Sequence, residues 1–235
     1  MAFREFTDPD LGTVRVAIRA NARGMKTRWN KGRVEFIISP GTTSELFMRF
    51  FNEVKPQLIE MKRPLMFEIG RPLHTDDGPT FSFERSERSS GGVTIVLGRE
   101  RCAVRIARDV NLEDPRLNGV ISNLLLRAAY RLAPGVLAPL VEAEANRLGL
   151  KPSGIEISRG HVVLGHCSQR GVIAISCACL FLPRDLRRYI VCHELAHLTE
   201  MNHSARFHAL CDRYLDGREA ELIRALKGYR WPIVR

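Results

Sequence analysis

Residues 183–211 read PRDLRRYIVCHELAHLTEMNHSARFHALC, and this stretch decides how the chain is interpreted. It contains the pattern His-Glu-x-x-His from His193 to His197. Side chains four residues apart lie on one face of a helix, one turn apart, so both imidazoles can reach one metal ion. Glu194 follows the first histidine directly. Its carboxylate is therefore predicted to lie beside the ion, where a general base can take a proton from water.

A catalytic zinc ion usually has three protein ligands and one open position, so a third ligand has to come from beyond the helix. On a continued helix, His203 would lie about 15 Å along the axis from His193, which is out of reach. The helix is therefore expected to end near residues 199–201 and the chain to turn back, with Ser204 capping a second helix over residues 205–215. We favour His203 as the third ligand, and His208 on the second helix is the alternative.

The sequence on the N-terminal side of this stretch predicts an α+β fold. Residues 1–110 are rich in alternating apolar patterns that are typical of strands, with one helix predicted over residues 42–61. Two further helices are predicted over residues 117–132 and 137–148, followed by short strands over residues 155–158, 161–165 and 172–176. We expect the metal-bearing helix to pack on a small mixed sheet. The predicted organisation is a strand-rich region 1–110 and a catalytic region 111–235, or one continuous domain.

Composition excludes several classes of protein. The chain has 235 residues, of which 45% are hydrophobic and 26% charged, as in ordinary globular proteins. The longest apolar run, residues 172–182, is about half a membrane span, and the charged N-terminus does not resemble a signal peptide. Six cysteines without a C-x-x-C pair indicate free thiols. The expectation is a cytoplasmic protein without a membrane partner.

Positive charge is the second notable feature of the sequence. The formal net charge is +10, and residues 15–33 hold seven basic residues, no acidic residue and Trp29. The basic residues are Arg15, Arg19, Arg23, Lys26, Arg28, Lys31 and Arg33. This stretch is either a solvated strand face and loop or a surface that binds the phosphate backbone of a nucleic acid. Binding to nucleic acid would fall steeply with salt concentration.

The segment His193–Phe207, HELAHLTEMNHSARF, resembles the YgjP-like metallopeptidases, distant relatives of the SprT-like proteases among the zincins. Residues 164–175 resemble the W-G-S-C-S segment and the following strand of that family. The resemblance implies that His193, His197 and His203 bind Zn2+ and that Glu194 is the general base. It also implies that the strand over residues 172–176 binds an extended peptide along its edge. Four positions bordering the predicted cleft depart from the family pattern: Leu164, His166, Cys177 and His208.

Three functions are therefore considered. The first is a zinc-dependent metalloendopeptidase that acts on a peptide or protein substrate. The second is a nucleic-acid-associated protein, or a DNA-associated protease, that uses the basic stretch; some SprT-like relatives are DNA-associated, which makes this an analogy. The third is a metal-stabilised binding module without catalysis, in which His208 would close the site as a fourth ligand. An intact Glu194 argues against the third function, because a structural site needs no base.

Overall fold

The computed structural model describes residues 3–30, 33–62, 67–87, 90–112 and 116–233. The chain forms two compact units, Met1–Pro64 and Leu65–Arg235. The boundary predicted from the sequence lies near residue 110 instead. The strands between residues 80 and 106 group with the second unit because Phe81, Cys102 and Val104 are buried in the same hydrophobic core as the helices that follow them.

The first unit is a four-stranded sheet with one helix packed on it. Its elements are β1 (Phe3–Asp8), β2 (Gly12–Ile18), β3 (Lys26–Asn30), β4 (Arg33–Ile38) and α1 (Ser44–Lys62). The strand order is β1-β2-β4-β3, with β2 and β4 parallel and the other two pairs antiparallel. Alternate residues such as Val14 and Phe36 are buried against Phe51 and Leu58 of α1, which leaves the opposite face of the sheet without a helix from this unit.

The second unit holds two three-stranded sheets and five helices among its described residues. Its strands are β5 (Thr80–Arg85), β6 (Val93–Val96), β7 (Arg101–Ile106), β8 (Gly154–Ser158), β9 (Gly165–Cys167) and β10 (Val172–Ser176). Its helices are α2 (Arg116–Leu132), α3 (Pro134–Leu148), α4 (Arg184–Ala196), α5 (Ala205–Tyr214) and α6 (Glu219–Lys227), with a 3-10 helix over Cys177–Phe181. One continuous core joins Phe81, Leu125, Ile173 and Leu195, and the predicted α+β class is confirmed.

The sheet that packs against α4 does not place residues 172–176 at its edge, contrary to the prediction from the sequence. The order is β8-β10-β9, so β10 pairs with a neighbour on both sides. The expectation that residues 172–176 form a peptide-binding edge is therefore wrong, because both edges of β10 are already used. The two edge strands of this sheet are β8 and β9, and β9 begins at Gly165, where the predicted strand over residues 161–165 ends. Helix α4 packs against β9 and β10, as expected for a metal-bearing helix on a small mixed sheet.

Two further expectations can be compared with the described residues. No single helix among them is long and apolar enough to cross a membrane. The pair α2 and α3, bent by 54° at the break between them, has the length and composition of a membrane span, but only when the two helices are taken together. All six cysteines are buried, and all are free thiols.

Candidate metal centre

The chain turns back after α4 much as its sequence predicts. Helix α4 ends at Ala196 rather than near residues 199–201, because the N–H groups of Leu198 and Thr199 donate to carbonyls three residues back instead of four. A tight turn follows, in which the Glu200 N–H donates to the Ala196 carbonyl. Asn202 is of a residue type that tolerates the left-handed conformation, but it does not adopt a positive φ here; its carbonyl accepts a hydrogen bond from the Ser204 N–H at 2.7 Å. Ser204 then caps α5, since its Oγ accepts a hydrogen bond from the Phe207 N–H at 3.3 Å. The turn brings His203 back towards α4.

The turn gathers three histidines around one point. One ring nitrogen from each of His193, His197 and His203 lies within 4.8 Å of the other two. The Nε2 atoms of His193 and His203 are 3.0 Å apart. Two nitrogens bound tetrahedrally to one zinc ion, at about 2.0–2.1 Å each, lie roughly 3.3 Å apart. The histidine cluster therefore fits a small tetrahedral metal ion, with side-chain adjustments of a few tenths of an ångström between His193 and His203.

Neighbouring groups orient these rings. The His197 Nδ1–H donates to the backbone carbonyl of Glu200 at 3.1 Å, which leaves Nε2 as the nitrogen with a free lone pair. Phe207 is fully buried and stacks on the His197 ring, with centroids 4.5 Å apart and planes at 28°. The same phenyl ring contacts His193 and His203 at centroid distances of 4.8 and 4.7 Å. The sequence indicated that Phe207 is apolar and helical, but gave no sign that it supports all three imidazoles.

Burial keeps the imidazoles of His193 and His197 in the neutral form that binds metal. It lowers the pKa of His193 to about 4, and the neighbouring His197 and His203 add to the effect. Burial also lowers the pKa of His197, although its hydrogen bond to Glu200 opposes this shift. At neutral pH both rings are therefore unprotonated and available as ligands.

Glu194 lies beside the histidine cluster in a buried position. Only 6% of its surface is exposed, and burial raises the pKa of its carboxyl group to about 7. Gly165 at the start of β9 packs directly against it, so closely that a Cβ atom on residue 165 would overlap the carboxylate. No role was predicted for Gly165 from the sequence. The feature that could have indicated one is its position in the segment that resembles the W-G-S-C-S pattern of the family.

His208 lies near the cluster but outside it. Its ring centroid is 6.4 Å from that of His203, and its Nδ1 lies 2.9 Å from the Glu219 carboxylate. Glu219, buried at the start of α6, therefore holds His208 by a hydrogen bond. The contact of Glu219 with His208 could not be predicted from the sequence, because nothing in the local pattern links the start of α6 to α5.

The other side of α4 is tied to α3. The Arg188 Nε donates to the Glu144 carboxylate at 3.0 Å, and the Cys192 thiol donates to the same carboxylate at 3.5 Å. Burial beside Glu144 raises the pKa of Cys192 to about 12, so its thiol stays protonated. Cys192 is therefore a packing residue, and the contacts of Arg188 fix the rotation of α4 about its axis.

Comparison with known proteins bears on the family to which this chain belongs. The family model described as YgjP-like, metallopeptidase domain, matches residues 95–227, which is more than half of the chain. A crystal structure of the metallopeptidase zymogen of Pyrococcus abyssi abylysin aligns with 42% of this chain and 100% of its own, at 26% identity and a TM-score of 0.36. That TM-score is too low to support an inference about the fold. No curated protein sequence matches the chain. The family match, which spans α4, the turn and α5, shows that this chain belongs to the YgjP-like family and carries its metallopeptidase domain.

Proposed function

We propose that this chain is a zinc-dependent endopeptidase in which His193, His197 and His203 hold the metal and Glu194 is the general base. The observation that carries the proposal is the convergence of three imidazole nitrogens within 4.8 Å next to a buried carboxylate. Three neutral nitrogen ligands are a donor set typical of catalytic zinc. The cluster found among the described residues contains these three histidines and no fourth ligand, which is consistent with an open coordination position.

Each residue has a defined part in peptide hydrolysis. A zinc ion held there would acidify a water molecule and polarise the carbonyl of the scissile bond. Glu194 accepts the proton of the attacking water on its carboxylate and then delivers it to the leaving amine. A pKa of about 7 before metal binding indicates that this carboxyl group exchanges a proton easily near neutral pH. The buried position of Glu194 limits competing proton exchange with solvent.

The free edge of β9 is the proposed substrate-binding strand. Ser168 and Leu164 direct backbone groups towards β10, since the Ser168 N–H donates to Val172 and the Leu164 carbonyl accepts from Ser176. In an antiparallel pair, successive residues direct their backbone N–H and C=O groups alternately towards the partner strand and away from it. Gly165 and Cys167 therefore direct these groups to the outer edge of β9. An extended peptide that pairs with this edge would lie beside Glu194.

The direct test is cleavage of a mixture of unstructured peptides by the purified chain, followed by mass spectrometry. We expect internal cleavage that disappears with a chelator and returns on addition of one equivalent of zinc. Zinc binding at one ion per chain without cleavage of any peptide would contradict the peptidase proposal and favour a metal-stabilised binding module. Cleavage that survives complete removal of metal would contradict the zinc mechanism.

Replacement of Gly165 by alanine tests the contact between β9 and the general base. The added methyl group would overlap the Glu194 carboxylate, so either the side chain or the strand has to move. A shift of about 1 Å in a catalytic group can cost roughly hundredfold in rate, and we expect kcat to fall by about that factor with zinc content unchanged. Steady-state kinetics and elemental analysis measure the two quantities.

Gly160→Ala is the matched control, because a Cβ atom at residue 160 would meet only the Val163 carbonyl, at 3.9 Å. It should keep wild-type kcat. Equal kcat in Gly165→Ala and Gly160→Ala would show that the packing of Gly165 on Glu194 has no part in catalysis.

A further inference from the structure

The open face of the sheet in the first unit is lined with positive charge. Val14 and Val16 of β2 point to the side that α1 covers, so Arg15 and, by continued alternation, Arg19 lie on the opposite side. The register pairs Lys26 with Ile37 and Arg28 with Glu35, which places both basic residues of β3 on the same open side. Arg23 lies in the loop between β2 and β3. We call these five residues the basic face: Arg15, Arg19, Arg23, Lys26 and Arg28.

Acidic side chains neutralise this face only in part. On the described strands, the acidic residues that share its side of the sheet are Glu5 and Glu35, both paired in register with Arg15. Glu35 is buried and forms an ion pair with Arg28 at 2.5 Å. The basic face therefore keeps a positive surplus. Lys31 lies outside the described residues, as do the side chains of Trp29 and Arg33.

One end of the basic face is concave. A cavity of about 270 Å³ is lined by Arg19, Asn21, Ala22, Arg23, Lys26 and Ile37. The Nε of Arg19 is buried and has no hydrogen-bond partner among the described residues. A buried donor without a partner is costly, and an oxyanion bound to this guanidinium would offset that cost. The cavity thus combines an amide side chain with three cationic side chains, of which Arg19 has an unsatisfied donor.

We propose that the basic face binds the phosphate backbone of a nucleic acid, with one phosphate group in the cavity beside Arg19. Cations two strands apart, such as Arg15 and Arg28, are separated by about 10 Å, and Arg19 lies farther along the strand. This spread suits a chain of phosphates better than a single small anion. A membrane surface fits less well, because the large apolar side chains that are exposed among the described residues of this unit, Leu46 and Met48, both lie on α1.

The test measures binding of the full chain to a fluorescein-labelled 20-nucleotide strand and to its duplex by fluorescence anisotropy. Contacts from most of the five cations predict that the affinity for the duplex falls roughly 10²-fold between 50 and 200 mM salt. The variant Arg19→Glu/Arg23→Glu/Lys26→Glu should bind at least tenfold more weakly at the lower salt concentration and show a shallower salt dependence. The affinity of the milder variant Arg19→Gln/Arg23→Gln/Lys26→Gln should lie between those of the wild type and the Glu variant. This variant still tests the proposal if charge reversal disturbs folding.

The matched control reverses three exposed cations elsewhere, in Arg127→Glu/Arg131→Glu/Lys151→Glu, which changes the net charge by the same amount. It should keep most of the wild-type affinity. Equal weakening in both triple variants would contradict a specific face, because overall charge alone would then explain binding. A flat salt response would overturn the proposal. So would stronger binding to poly-L-glutamate or to anionic vesicles than to the oligonucleotide, since the partner would then be an acidic protein or a membrane.

Discussion

Replacement of Glu194 by glutamine is expected to abolish peptide cleavage while the chain keeps one zinc ion. Glutamine has nearly the same shape, so it fits against Gly165, but it cannot accept the proton of the attacking water. General acid–base catalysis contributes about 10²–10⁴ in rate, and we expect kcat/KM to fall by roughly 10³-fold or more. The three histidines are unchanged, so the zinc content measured by elemental analysis should equal that of the wild type.

Glu142→Gln is the appropriate control for this variant. Glu142 is exposed on α3 and has no part in the proposed site, so the same chemical change should leave kcat/KM within about twofold of wild type. If Glu194→Gln retained substantial cleavage with zinc bound, the proton acceptor would be another group. If it lost zinc together with activity, Glu194 would have to support the ligands themselves.

The sequence predicted those parts of the site that depend on neighbours along the chain. The spacing of His193 and His197 on a helix, the end of that helix and the cap at Ser204 are all local features, governed by helix geometry and hydrogen bonds within a few residues. The structure has the cap at Ser204 and brings His203 to the other two histidines, but α4 ends at Ala196, before the predicted end near residues 199–201, and His197 is its C-cap. The turn that follows contains a hydrogen bond from the Ser204 N–H to the Asn202 carbonyl, which is again a local feature.

Features that depend on which strands are neighbours could not be predicted in the same way. An alternating pattern shows that Val172–Ser176 is a strand, but it does not show whether that strand lies at an edge or in the middle of a sheet. The contacts of Gly165 with Glu194 and of Glu219 with His208 join segments far apart in sequence. The boundary between the two units could not be predicted for the same reason. Strands on either side of residue 64 have the same alternation of apolar residues and differ only in the hydrophobic core in which they are buried.

Removal of His203 is expected to abolish high-affinity zinc binding, whereas removal of His208 is not. The His203 Nε2 lies 3.0 Å from that of His193, close to the separation of two ligands of one ion, while His208 directs Nδ1 to Glu219 and lies outside the cluster. Loss of a supporting group costs roughly 10–100-fold in metal affinity, and loss of a ligand should cost more. Elemental analysis and competition with a chromogenic chelator, on His203→Ala and His208→Ala, measure the difference.

The two variants separate three arrangements of the site. Zinc lost in His203→Ala and kept in His208→Ala supports an open site of three histidines, in which the fourth position is available to water and substrate. The reverse result would make His208 the third ligand, through Nε2 and with its ring moved towards His193 and His197. Strong loss in both variants would indicate four protein ligands, as in a closed structural site, and would contradict the peptidase mechanism even though Glu194 is present. Because His208 lies outside the cluster of three ring nitrogens, we expect the first result, and Glu219→Gln should then leave zinc affinity within about tenfold of wild type.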